Sequence, residues 1–164
     1  MTDKKNPLKQ EAYESYELIP NQSGSSYELL FKNSKDSNFV RSVVDLLDRY
    51  EIKTRVFGSI VYNKKQYDDI DFFGIGRPYK LKQFYDEFKR YMEHGTEVTL
   101  LGPYNDVNLK VMRPVVEKGK SAHHHWVLDR LVLTPTEDGI TPIDLSLITN
   151  GNFNRLKGKR EPAY

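Results

Sequence analysis

The chain predicts an α/β (α+β) fold, a mixed twisted β-sheet with two main helices on one face. Three observations predict it. Two stretches carry apolar residues at helical spacing, from Phe39 to Tyr50 and from Leu81 to Met92. Shorter apolar runs of strand length, several alternating with polar residues, lie between and after them. Groups of Gly, Pro, Asn and Asp punctuate the runs. With 164 residues the chain has the length of one domain and can bury a core without staples.

Residues 1–37 read as a polar N-terminal extension, partly irregular, broken at Ser23-Gly24-Ser25-Ser26. Tyr27 to Phe31 reads as a short strand or an irregular arm. Asp36, Ser37 and Asn38 offer N-cap chemistry for the first helix. Phe39, Val43, Leu46, Leu47 and Tyr50 form its apolar stripe, which the sheet should cover.

Arg55 to Ile75 follows: an apolar strand, a Gly58-Ser59 turn, a polar loop and a second strand. Gly58 after Val56-Phe57 lets the backbone bend and approach a ligand closely. Short turns of this kind, with free amides, make concave anion sites. On the second strand Asp69 and Asp71 are separated by one residue, so both point to the same face while Ile70 and Phe72 point into the core. Two ionised carboxylates side by side repel, and a cation between them relieves that repulsion. Hard oxygen ligands at this spacing suit Mg²⁺ or Mn²⁺. A phosphate-sized site beside a divalent-metal site suggests phosphoryl or nucleotidyl transfer.

A second helix spans about Lys80 to Glu93, with Leu81, Phe84, Tyr85, Phe88 and Met92 on its buried face and His94-Gly95 at its end. Gly74 and Gly76 do not make a dinucleotide fingerprint, because the third glycine is missing and Pro78 follows. Glu97 to Leu101 and Val107 to Met112 read as strands around the turn Gly102 to Asp106. After a loop at Lys118 to Ser121, Trp126 to Leu133 and Ile140 to Ile148 form a hairpin around Thr136-Glu137-Asp138-Gly139. Its second arm puts Asp144 on the face opposite Ile143 and Leu145. Residues 38–149 thus form the domain proper, and 150–164 a basic C-terminal tail with Arg155, Lys157, Lys159 and Arg160.

Composition narrows the function classes. There is no cysteine, which excludes disulfides and thiolate zinc sites and fits a cytoplasmic protein. No apolar run approaches a membrane span, and the N-terminus has no apolar signal region, so no membrane partner is expected. A net charge of +2 does not announce a nucleic-acid binder. His123-His124-His125 lacks a fourth zinc ligand and reads as the start of a surface strand. Lys110, Arg113 and Arg130 stand on predicted strands near the hairpin, each read as a surface salt-bridge former first and as a cation for a triphosphate second.

Gly58-Ser59, nine intervening residues and Asp69-Ile70-Asp71-Phe72 resemble the signature of the nucleotidyltransferase superfamily, the DNA polymerase β-like enzymes. Ile143-Asp144-Leu145 resembles that family's third carboxylate, and the helix-strand order before Gly58 is similar to its opening. The resemblance covers roughly Asn38 to Thr149. It implies a two-metal transfer of an NMP, AMP foremost, from a nucleoside triphosphate to an acceptor hydroxyl on a protein, nucleic acid or small molecule. It assigns Gly58 and Ser59 to the phosphates, and Asp69, Asp71 and Asp144 to Mg²⁺ or Mn²⁺; Lys110 and Arg130 are candidate phosphate-binding cations beside them on charge alone.

Three features depart from the family pattern. No second glycine occurs in Ile60-Val61-Tyr62-Asn63, and Asp68 stands where many members have Ser or Thr. The twenty residues after Asp144 leave no room for a separate helical substrate domain. Small stand-alone members resemble this size, and some transfer AMP to a partner protein as homo- or hetero-oligomers. Two alternatives accompany this expectation: a binding or regulatory subunit that kept the fold and lost catalysis, and a small terminal transferase acting on RNA or DNA.

Overall fold

A computed structural model of the chain describes residues 31–58, 60, 66–102, 106–115 and 126–160, the last four through their backbone. Phe39, Val40, Val43, Val44 and Leu47 recur every three or four residues and are buried along one side of helix α1 (Ser34–Arg49). The Asn33 side chain caps its start, accepting from the Asp36 N–H at 2.8 Å. The helix therefore begins ahead of the cap expected at Asp36 to Asn38, and Asp36 is free to turn inward, where it is fully buried.

Strand β1 (Lys53–Phe57) leads, beyond the described residues around position 60, to β2 (Ile70–Gly76). Helix α2 (Pro78–His94) starts with proline in its first turn and ends at Gly95, whose φ of 63° is the left-handed cap that glycine adopts without strain. Strands β3 (Glu97–Leu100), β4 (Val107–Met112), β5 (Val127–Pro135) and β6 (Ile143–Thr149) follow, then helix α3 (Asn150–Arg160). The strands make one mixed sheet in the order β1-β2-β6-β5-β4-β3. Among the described residues only β2 and β6 run parallel; the other neighbours are antiparallel, including the expected β5–β6 hairpin.

Alternation along the strands sorts the two faces. Val56, Phe72, Leu131, Leu133, Leu145 and Leu147 share one face and are buried. Helices α1 and α2 cover it, as expected. Ile52, just past α1, and Leu81 of α2 meet there over Gly76. Tyr50 packs edge-on against Phe84 with ring centroids 5.2 Å apart, and its hydroxyl donates to Glu87 at 2.7 Å, joining the two helices.

The opposite face is covered by α3, where the sequence suggests only a basic tail. Phe73 stacks on Phe57 at 4.0 Å and receives Phe153 of α3 edge-on at 5.5 Å. Phe153 and Leu156, three residues apart, are both buried. Farther across that face, Asn108, Lys110 and Met112 of β4 are exposed. Among the described residues no helix is long and apolar enough to cross a membrane. Tyr27 to Leu30, the Pro103 to Asn105 part of the turn, the loop at Lys118 to Ser121, the three histidines and Glu161 to Tyr164 lie outside the described residues.

Candidate metal-binding site

The site is assembled by strand register. Asp69 and Asp71 project to the α3 face of the sheet because Ile70 and Phe72, their alternates, are fully buried beneath α1 and α2. The parallel pairing of β2 with β6 sets Asp71 opposite Asp144. One carboxylate oxygen from each of Asp69, Asp71 and Asp144 lies within 4.8 Å of the others. The three acids expected to meet from distant parts of the chain do meet.

Gly58 completes one wall. Phe57 pairs with Asp71, so the chain leaves β1 beside that carboxylate. The φ of 82° at Gly58 suits glycine, and a Cβ there would collide with the Asp71 carboxylate. Gly58 is thus fixed both by its backbone angle and by its closeness to an acid. Ser59 and residues 61–65, which include Asn63, lie outside the described residues, and with them the serine half of the expected phosphate cradle.

Arg130 belongs to the site in a way the sequence does not reveal. It projects from β5, whose Val132 pairs with Asp144, and its Nη2 donates to Asp144 Oδ2 at 2.8 Å. The pair is mostly buried, with 17% and 16% of the side chains exposed. Of the two readings the sequence offers for Arg130, salt-bridge former and phosphate cation, the structure displays the first: it holds one oxygen of the third acid. Asp144 Oδ1 remains buried with no hydrogen-bond partner among the described residues. Lys110 is exposed on β4, two strands from Asp144, and is not brought to the trio.

Three carboxylates against one guanidinium leave the cluster with excess negative charge. Burial first, then the charges of Asp69 and Asp144, push the Asp71 carboxyl up to about 7, against the pull of Arg130. Asp69 is also raised, by burial, by Asp144 and by Asp68, while its own backbone N–H and Arg130 work the other way. An acid cluster that resists full ionisation, with an orphaned buried oxygen on Asp144, fits a hard divalent cation: Asp69, Asp71 and Asp144 offer the oxygen ligands that Mg²⁺ or Mn²⁺ prefers.

Compared with family models, curated proteins and solved structures, the chain matches none.

Proposed function

We propose that the chain is a metal-dependent nucleotidyltransferase, moving an NMP, AMP foremost, from a nucleoside triphosphate to an acceptor hydroxyl. One observation carries the reading: three carboxylates, two on the parallel strands β2 and β6 and one on the residue that enters β2, converge within 4.8 Å beside a glycine turn that admits no side chain. A divalent cation bound to Asp69, Asp71 and Asp144 would supply Lewis-acid charge for both the attacking and the leaving oxygen. The chain's own residues do the rest. Gly58 keeps the wall beside Asp71 thin enough for a triphosphate to approach. Arg130 anchors Asp144 Oδ2 and leaves the unpartnered Oδ1 free to serve as ligand or as proton acceptor. The acceptor hydroxyl loses its proton and bonds to the α-phosphorus. The bond from that phosphorus to the β-phosphate oxygen breaks, and pyrophosphate departs.

The test is direct. The purified protein with Mg²⁺ binds labelled ATP, and Asp69→Ala with Asp71→Ala abolishes that binding. A double variant that binds as well as the parent sinks the reading. Incubation with each α-³²P-labelled triphosphate and a lysate then identifies the acceptor as protein or RNA. Nucleotide binding with no label on anything would make the chain a binding subunit.

A further inference from the structure

The entrances to β2 and β6 meet on one buried carboxylate. Asp36, in the first turn of α1, accepts the Thr141 backbone N–H on Oδ1 at 2.8 Å. Its Oδ2 accepts the Thr141 hydroxyl at 2.7 Å and the Tyr67 hydroxyl at 2.7 Å. Tyr67 is two residues before Asp69, and Thr141 three before Asp144. The Tyr67 hydroxyl accepts in turn from the Lys32 N–H at 2.9 Å, and the Lys32 ammonium donates to the Tyr67 carbonyl at 3.2 Å. The strand ladder begins where these segments meet, with the Ile70 N–H donating to the Pro142 carbonyl at 2.9 Å.

Burying a carboxylate is costly, and three good donors offset that cost. What the carboxylate adds over an apolar contact is direction. β2 and β6 are far apart in sequence, so no tight turn sets their register. A slip of β6 by one residue would turn Asp144 to the helix-covered face and bring Ile143 or Leu145 to the acids. A slip by two would keep the face but move Asp144 by roughly 7 Å, out of reach of a shared cation. Asp36 fixes the chain on both sides of that choice.

We propose that Asp36 is a positioning residue for Asp69, Asp71 and Asp144: by tying Tyr67 to Thr141 it sets the entry of β2 and β6 and holds the three carboxylates at cation-binding distance. This rests on the reading of the trio as a divalent-cation site.

Asp36→Asn would keep an oxygen for the Thr141 N–H but put an amide NH₂ against the two hydroxyls that now donate to Oδ2, and so threaten the fold itself; the test therefore uses its two partners. Mn²⁺ affinity of the full chain is measured by electron paramagnetic resonance well below the melting temperature. Tyr67→Phe and Thr141→Val lower that affinity on the order of tenfold, the scale of lost ligand-orienting contacts, with unchanged circular dichroism. Thr141→Ser, which keeps the hydroxyl, retains parental affinity. Val43→Ala, a core truncation in the same helix, lowers the melting temperature and leaves Mn²⁺ affinity alone. Parental affinity in both Tyr67→Phe and Thr141→Val would reduce Asp36 to a stability element. A parent that binds no Mn²⁺ would instead remove the cation reading, and the positioning role with it.

Discussion

Asp71 and Asp144 stand opposite each other on the parallel β2–β6 pair, and Arg130 reaches Asp144 from the next strand at 2.8 Å. The guanidinium therefore does for Asp144 part of what a metal would do for all three acids. Arg130→Met leaves that carboxylate buried without its counter-ion. The expected loss is about 3 kcal/mol of stability, as for breaking one side of a buried pair. Adding Asp144→Leu recovers most of it, because the uncompensated charge goes too. Denaturant unfolding of the single and double variants measures both.

The trio also makes stability depend on pH. Asp71 has its folded pKa raised to about 7 from an ordinary 3.8. The folded state therefore holds a proton that the unfolded state releases, and Asp71's contribution to the stability of the metal-free protein is lost as pH rises from about 4 to 7. Above that window the loss is complete. Asp71→Asn removes that residue's share of the titration and leaves the share of Asp69, so the variant is more stable than the parent by a few kcal/mol at pH 8, and the advantage vanishes near pH 4. Saturating Mg²⁺ at pH 8 stabilises the parent and not the variant. Thermal melts of both proteins across pH 4 to 8 give the sign.

Gly58 and Gly95 both have positive φ, yet only Gly58 faces an acid. Gly95→Ala meets nothing within 4 Å, so it costs about 1 kcal/mol of backbone strain and leaves metal affinity unchanged. Gly58→Ala carries similar strain and also drives a methyl into the Asp71 carboxylate. The expected result is at least a tenfold loss of Mn²⁺ affinity, measured by calorimetric titration. Equal effects at the two glycines would detach Gly58 from the site.

Much of this was legible because local rules agreed. Period-2 alternation at Asp69-Ile70-Asp71 and at Ile143-Asp144-Leu145 placed all three acids opposite buried neighbours, and the sheet kept that assignment. Helical spacing gave α1 and α2. What stayed hidden is what depends on pairing across distance. Arg130 was visible as a strand cation, but its partner follows only from β5 lying beside β6. Asp36 read as a helix cap, since capping is what an acid before an apolar stripe usually does. Asn33 took that role, and Thr141, 105 residues away, became its partner.

Helix α3 was hidden for a different reason, and it yields the last prediction. Asn150–Arg160 has two glycines and only two large apolar residues, so its composition reads as a solvated end. Phe153 nevertheless caps the Phe57–Phe73 stack on the face that holds the acids, and Phe73 is two residues from Asp71. Phe153→Ala should therefore behave as a core truncation, costing about 3 kcal/mol. Arg155→Ala, on an exposed residue of the same helix, should stay within about 0.5 kcal/mol of the parent. Chemical denaturation decides between them: similar small effects at both positions would mean that the helix does not pack on the sheet in solution. A large loss at Phe153 alone would establish α3 as the cover of the site face, since Phe153 is buried on the sheet against Phe73 and Arg155 is exposed.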